Sequence, residues 1–335
     1  MSIDPATGIA SGSSPDATLG ASSDYQHQGH EPLDDHAYAR LVARIQADLA
    51  ALREHRSQLQ PHPGIVPQLA AGPGTLIAVD IDGTILTMDG KVQPRVLAAI
   101  ARAKNAGTHV VISTGRSVEA ALPVVRHVGL EHGWLVCANG AMILRLDPAL
   151  PSGYEIVTLH TFQPAHAIDA LLEAVPDGLI AVERPDTTLW VSKPFPPGEL
   201  IENEHVTDLE TLRSGEVTRV VLRAPGMDLD AFTAAVRGAG LHAVEYSVGW
   251  TAWLDVNPPG VTKASALEEL AQHLGIDPAS TMAIGDGGND LEMISWACVG
   301  VAMGTAPAWL SDLADVRTQS VWHDGAAAVL DAVHA

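Results

Sequence analysis

Leu76-Ile77-Ala78-Val79-Asp80-Ile81-Asp82-Gly83-Thr84 is the stretch that decides the fold. Four apolar residues run directly into two carboxylates set two apart, followed by a glycine and a threonine. A short, non-alternating apolar run predicts a strand buried on both faces, the kind found in parallel sheets covered by helices. Residues i and i+2 of a strand project to the same side, so Asp80 and Asp82 leave its carboxyl end together. Gly83 permits a sharp turn behind them. Two acids side by side at the end of a buried strand are unfavourable without a positive partner, and a divalent cation with oxygen ligands is the usual one. The stretch reads as the nucleophile and metal site of a phosphate-transferring enzyme.

Downstream, periodicity predicts a helix over 94–106, a strand over 109–113, a helix over 117–128 and a strand over 134–138, with Gly107 placed where a helix C′ glycine belongs. Strands joined by helices predict an α/β fold with a Rossmann-like, doubly wound parallel sheet. The rhythm then breaks. Residues 154–192 and 217–256 each read strand, helix, strand, strand, with an irregular Pro- and Glu-rich segment, 194–213, between them. This βαββ duplication predicts an inserted α+β cap domain. Alternation returns with a helix over 262–274, strands over 282–285 and 299–303, and helices over 291–297, 307–313 and 326–334. The core domain is therefore expected as residues 75–146 and 258–335, around a cap at 147–257.

Residues 1–74 form an N-terminal extension. Its first 31 residues are rich in Ser, Gly, Asp and Ala, lack periodicity, and are expected to be disordered. Ala37, Leu41, Ile45, Leu49 and Leu52 recur three and four apart and predict a helix over 34–59; a Pro/Gly linker, 61–74, follows.

The chain has 335 residues, 47% of them hydrophobic, with a formal net charge of -21. That charge argues against nucleic acid or an anionic membrane surface as partner. It also requires that an anionic substrate be drawn in by local positive charge or metal. Cys137 and Cys298 lie in apolar segments and read as small buried hydrophobes of a reducing compartment. There is no signal-peptide pattern and no apolar run of roughly 20 residues, so a soluble, cytoplasmic protein is expected. The 15 histidines show no HxH or HExxH spacing and none reads as a metal ligand.

Four loops at strand ends or helix starts carry the chemistry, in the place where an open parallel sheet forms its ligand crevice. They hold Asp80 and Asp82; Ser113-Thr114-Gly115-Arg116; Lys263; and Gly285-Asp286-Gly287-Gly288-Asn289-Asp290. The acids suit a hard cation such as Mg2+. Thr114, Arg116 and Lys263 suit phosphate oxygens, and the glycines allow close backbone approach and N–H donation. Arg116 either contacts substrate or pins the Thr114 loop. Asn139, directly after the third strand, is a candidate phosphate or substrate contact; Asn289 is another, with a helix N-cap as its alternative. No dinucleotide or P-loop glycine pattern is present.

Asp80-Ile81-Asp82-Gly83-Thr84 resembles the DxDGT motif of the haloacid dehalogenase (HAD) superfamily of phosphotransferases. Thr114 in Ile112-Ser113-Thr114-Gly115-Arg116 resembles its second motif, and Lys263 in Pro259-Gly260-Val261-Thr262-Lys263 its third. Gly285-Asp286-Gly287-Gly288-Asn289-Asp290 is similar to the fourth in its GDxxND form. The motifs occur in order, and the insert lies between the second and third, where the family's C2 caps sit. The duplicated βαββ pattern and Asn139-Gly140 resemble the Cof-type branch, subclass IIB, with a C2B cap. Ala264 departs from that branch, which has a glycine after the lysine.

The resemblance, which spans residues 75–335, implies a Mg2+-dependent phosphomonoesterase acting on a small phosphorylated metabolite, most commonly a sugar phosphate. It implies Asp80 as nucleophile and metal ligand, and Asp82 as acid–base whose backbone carbonyl binds the metal. Asp286 would be a direct ligand and Asp290 an outer residue orienting Lys263 or a metal-bound water. Thr114 and Lys263 would serve the phosphate, and Gly83, Gly115, Arg116, Asn139, Gly140 and Asn289 would line it or the substrate. A sugar phosphomutase and a non-catalytic HAD-like binding protein are the alternatives. In the cap, Glu183, Arg184 and Lys193 are candidates to face the site, and Trp190, Trp250 and Trp253 read either as core or as sugar-stacking platforms.

Overall fold

The computed structural model describes residues 31–59, 65–197, 204–239, 245–248 and 251–334. Most of the N-terminal segment expected to be disordered, part of the linker, and Trp250 lie outside the described residues. The first described element is helix α1 (Asp35–Gln58), matching the expected span. Asp34 caps it by accepting from the Ala37 N–H at 2.7 Å. The helix docks on the core: Leu41 and Ile45 are buried, and the Tyr38 hydroxyl donates to Asp331 at 2.7 Å.

The decisive strand, β1 (Leu76–Val79), is buried throughout. Helix α2 (Pro94–Asn105), β2 (His109–Ser113), helix α3 (Val118–His127) and β3 (Gly133–Cys137) follow in the expected order, and then β4 (Met142–Leu146) and β5 (Tyr154–Leu159). The insert contributes helix α4 (Ala165–Ala174), β6 (Leu179–Glu183), β7 (Leu189–Val191), β8 (Glu204–Val206), helix α5 (Leu209–Arg213), β9 (Arg219–Arg223), helix α6 (Leu229–Arg237), β10 (Glu245–Val248) and β11 (Trp253–Asn257). The chain returns with helix α7 (Lys263–Leu274), β12 (Thr281–Gly285), helix α8 (Leu291–Trp296), β13 (Val299–Ala302), helix α9 (Ala308–Leu313), β14 (Val316–Arg317) and helix α10 (Gly325–His334).

These strands form an eight-stranded sheet ordered β14-β13-β12-β1-β2-β3-β4-β5 and a six-stranded sheet ordered β10-β11-β9-β6-β7-β8. The first is parallel from β14 to β3 and antiparallel at β4 and β5. β1 sits between β2 and β12, so the two halves of the split domain meet at the site strand. Ile77 and Val79 face one cluster with Val96, Ile100, Val329 and Leu330; Leu76 and Ala78 face another with Leu267, Leu270 and Met293. Helices thus cover both faces, as the apolar run requires. In the second sheet Ile180, Val182, Val220 and Leu222 pack on α4 and α6 through Ile168, Leu171 and Phe232. Its other face carries Ala181, Val191 and Val221.

Two expectations need correction. The strand at 154–159 was assigned to the cap, but β5 pairs antiparallel with β4 in the first sheet. The turn between them is held by Asp147, whose N–H donates to Gly153 O at 2.9 Å, so the local hairpin captures the strand. The first repeat therefore keeps only α4, β6 and β7 in the cap, plus an isolated antiparallel bridge between Phe162 and Val217. The segment 194–213 is not wholly irregular: β8 adds parallel to β7, and Asp208 caps α5 by accepting from Thr211 N at 2.8 Å. Cys137 and Cys298 are free and buried. Among the described residues, no helix is long and apolar enough to cross a membrane.

Candidate active site

Asp80 follows β1 directly and extends its ladder, donating its N–H to Ile284 O of β12 at 3.0 Å. The chain then turns at Gly83, which has φ 80°. A Cβ there would lie 2.1 Å from Asp286 Oδ2, so glycine is what lets the Asp286 carboxylate come against this turn. Asp286 leaves the end of β12. Beyond it a 3-10 turn, Gly288–Asp290, folds Asp290 back so that its Oδ2 accepts from the Asp286 and Gly287 N–H groups, each at 2.9 Å.

Lys263 is the first residue of α7, whose N-cap Thr262 accepts from Ser265 N at 3.1 Å. Gly140, at φ 105°, admits that helix start: a Cβ there would lie 2.2 Å from Thr262 O. The buried Lys263 ammonium donates to Asp80 Oδ1 and to Asp290 Oδ1, both at 2.6 Å.

Asp80, Asp286 and Asp290 bring carboxylate oxygens within 4.8 Å of one another. Burial pushes the Asp80 carboxyl up to about 7; the Asp290 charge adds to this and Lys263 opposes it. Burial, then the charges of Asp80 and Asp290, lift Asp286 well above the usual carboxylate range. For Lys263, burial disfavours the charge, but Asp290 and Asp80 outweigh it and the pKa is raised. The cluster is thus short of positive charge with one ammonium present. Asp290 already spends both oxygens on Lys263 and two backbone N–H groups, which leaves Asp80 and Asp286 to meet a cation. An all-oxygen, under-compensated donor set fits a hard divalent metal.

Asp82 stands apart from that cluster. Its side chain is half exposed and forms a two-point pair with Arg116, Nη2 to Oδ1 at 2.6 Å and Nε to Oδ2 at 2.9 Å. Arg116 therefore reaches Asp82, a partner that sequence spacing does not show. Thr114 is buried, and its hydroxyl accepts from the Arg116 N–H at 3.1 Å. Ala138 and Asn139 both take left-handed backbone, with φ 49° and 50°. Asn139 N–H donates to Thr114 O at 3.0 Å, and its Oδ1 accepts from Asn289 Nδ2 at 3.0 Å. Its Nδ2 is buried without a hydrogen-bond partner, a donor free for a ligand oxygen. Gly115 lies against this pair, where a Cβ would be 2.9 Å from Asn139 Oδ1. Asn139, Asn289, Gly115 and Thr114 are thus brought together beside the carboxylates.

In the cap, Glu183 is buried and accepts from Arg219 Nε at 2.8 Å, and Arg219 Nη1 donates across to the Gly115 carbonyl at 2.8 Å. Sequence reasoning missed Arg219. Arg184 is not brought to the site: its guanidinium donates to Thr211 O at 2.8 Å and Ser214 O at 2.5 Å. Lys193 is exposed past the end of β7. Trp190 packs on the helix side of the cap sheet, as the core reading has it. Trp253 packs on the opposite face, its ring 5.9 Å from that of Phe195.

The sequence matches the family of haloacid dehalogenase-like hydrolases over residues 77–330. An HMP-PP phosphatase of Serratia proteamaculans is 30% identical over 251 residues, covering 71% of this chain and 86% of the relative. A 5-amino-6-(5-phospho-D-ribitylamino)uracil phosphatase of Bacillus subtilis is 29% identical over 260 residues, covering 75% and 92%. Among solved structures, a HAD subclass IIB sugar phosphatase superposes with a TM-score of 0.64 at 22% identity, covering 77% of this chain and 98% of that one.

Proposed function

Because the chain belongs to the haloacid dehalogenase-like hydrolase family, we propose that it is a Mg2+-dependent phosphatase that cleaves a small phosphorylated metabolite through a phosphoaspartate on Asp80. The observation that carries this reading is the placement of Asp80 at the carboxyl end of β1, bound by Lys263 at 2.6 Å, with Asp286 beside it. Asp80, Asp286 and the Asp82 backbone carbonyl would hold Mg2+, which would supply the positive charge that lets a phosphate dianion approach a carboxylate.

The side chains divide the work. Lys263 occupies Asp80 Oδ1, so Oδ2 is the oxygen that attacks phosphorus. The ester P–O bond breaks, and its electron pair leaves on the ester oxygen, which takes a proton from the Asp82 carboxyl. A water then gives a proton to Asp82 and attacks phosphorus. The Asp80–phosphorus bond breaks and the carboxylate is restored. Asp82 is half exposed and paired with Arg116, at the mouth of the carboxylate cluster rather than inside it. The Thr114 hydroxyl and Asn139 Nδ2 serve the phosphate oxygens.

The leaving group is proposed to be a sugar or polyol. Support comes from the phosphoribityl substrate in the name of the Bacillus relative. The test is phosphate release across a panel of phosphorylated sugars, polyols and cofactors, with and without Mg2+. Release from at least one compound, dependent on Mg2+ and abolished in a folded Asp80→Asn variant, is expected. Substantial turnover by that variant, or isomerisation of a hexose phosphate without phosphate release, would overturn the reading.

A further inference from the structure

The loop 114–116 is held from three directions. It is tied to the sheet, Thr114 N–H donating to Val136 O at 2.9 Å and Asn139 N–H to Thr114 O at 3.0 Å. It grips the acid–base, through the two-point pair of Arg116 with Asp82. And it is held from the cap, where Arg219 Nη1 donates to Gly115 O at 2.8 Å.

The third hold is purpose-built. Arg219 opens a strand that continues Val220-Val221-Leu222, and its side chain is 4% exposed. A guanidinium buried to this degree is costly unless paired. Glu183, its register partner across β6 and β9, is fully buried and accepts from Nε at 2.8 Å; Asp255 Oδ1 lies 3.5 Å from Nη1. The guanidinium is a rigid planar fork, so fixing Nε against Glu183 sets where Nη1 points. It points out of the cap, onto the peptide that precedes Arg116.

We propose that Arg219 is a positioning residue for the acid–base: by anchoring the Gly115 carbonyl it fixes Arg116, and through it the aim of the Asp82 carboxylate, so that Asp82 is correctly placed only when the cap sheet is seated on the loop. The inference rests on the phosphatase reading above. A half-exposed ion pair such as Arg116–Asp82 is screened by solvent and contributes too little to hold one geometry by itself. Arg116 is also held from the core, its Nη1 donating to Ala120 O at 3.3 Å and its carbonyl accepting from the Ala138 N–H at 2.9 Å, and the Arg219 anchor on the adjoining peptide adds the constraint that comes from the cap. The cap's seating and the proton transfer to the leaving group then become one event.

The test separates leaving groups. Phenyl phosphate needs a proton on its departing oxygen more than p-nitrophenyl phosphate does, and kcat/KM reports the steps up to departure. General acid catalysis contributes about 10²–10⁴-fold, so in Asp82→Asn the kcat/KM ratio of the nitrophenyl to the phenyl ester should rise roughly 10²-fold or more. In Arg219→Gln it should rise about tenfold, less than the full loss of the acid, because the acid is present but loosely aimed. Should the orphaned Glu183 charge unfold Arg219→Gln, the double variant Glu183→Gln/Arg219→Gln removes both charges and carries the same expectation. Arg223→Gln, on the same strand and donating within the cap to Ala252 O at 3.3 Å, should leave the ratio unchanged. An unchanged ratio in the Arg219 variants, or an equal rise in Arg223→Gln, overturns the inference. If Asp82→Asn leaves the ratio unchanged, it is the acid–base role of Asp82 in the phosphatase reading that fails; a rise in Asp82→Asn without one in the Arg219 variants defeats this inference alone.

Discussion

Lys263→Met removes the ammonium at the centre of the site while keeping most of the apolar stem. The Lys263 side chain is 0% exposed, and those of its partners Asp80 and Asp290 are 7% and 0% exposed. Removing one partner of a buried ion pair leaves an uncompensated charge and costs about 3–5 kcal/mol. Asp290 keeps two backbone N–H donors at 2.9 Å, so Asp80 bears most of the loss. Its carboxyl, already raised from 3.8 to about 7, rises further without Lys263. An acid whose folded pKa lies above its unfolded value contributes stability below the unfolded pKa and loses it as pH climbs through the folded one. The variant should therefore lose about 3 kcal/mol at about pH 8 and less at about pH 5, where Asp80 binds a proton and needs no cation. Urea denaturation in the presence of a chelator measures this. Adding Asp290→Asn should recover part of the loss at the higher pH, because it removes one of the opposed charges. A loss below about 1 kcal/mol at about pH 8, or equal losses at the two pH values, would refute the reasoning, since either means the ammonium is not compensating buried carboxylates.

Gly83→Ala should cost about 1–2 kcal/mol for the left-handed backbone alone. Its Cβ would also meet Asp286 Oδ2 at 2.1 Å, so calorimetry should show weakened Mg2+ binding; unchanged affinity would count against Asp286 as a ligand. In metal-free protein the raised Asp80 and Asp286 carboxyls make stability fall as pH rises from about 4 through about 7. A divalent cation should therefore raise Tm more at about pH 8 than at about pH 5, and an equal rise would contradict a carboxylate site. Ile45→Ala in α1 should lower unfolding free energy by about 2–5 kcal/mol, because the residue is fully buried in the core cluster. A negligible change would mean that α1 is not docked in solution.

The legible parts of the molecule are those whose physics is local. An apolar run such as 76–79 states that it is a strand covered on both faces, whatever lies beside it. Asp80, Thr114 and Asp286 could be placed at one crevice because parallel topology sends the carboxyl ends of β1, β2 and β12 to the same edge. Pairing partners are not local, and there the sequence falls short. Residues 154–159 say "strand" without saying which sheet, and a hairpin turn seven residues long decided it. The Arg116–Asp82 pair spans 34 residues, and nothing in either motif names the other. Asn139 was placed by its position directly after the third strand, whereas its left-handed backbone, φ 50°, and that of Gly140, φ 105°, show only in the fold.

Arg219 shows where a further signal lay. A charge at the head of an apolar strand run, Arg219-Val220-Val221-Leu222-Arg223, is unfavourable unless the fold supplies an acid in register. Alternation puts Arg219 and Arg223 on one face with Val221, and the candidate acid of β6, Glu183, was already in view. Two unlike charges, each awkward alone in an apolar strand, are together evidence that β6 and β9 are neighbours and that their shared face is not solvent. Their burial then requires a use for the donors left over on the guanidinium. The Gly115 carbonyl accepts one of them at 2.8 Å, which places the cap's buried charge pair in direct contact with the loop that carries Thr114 and Arg116.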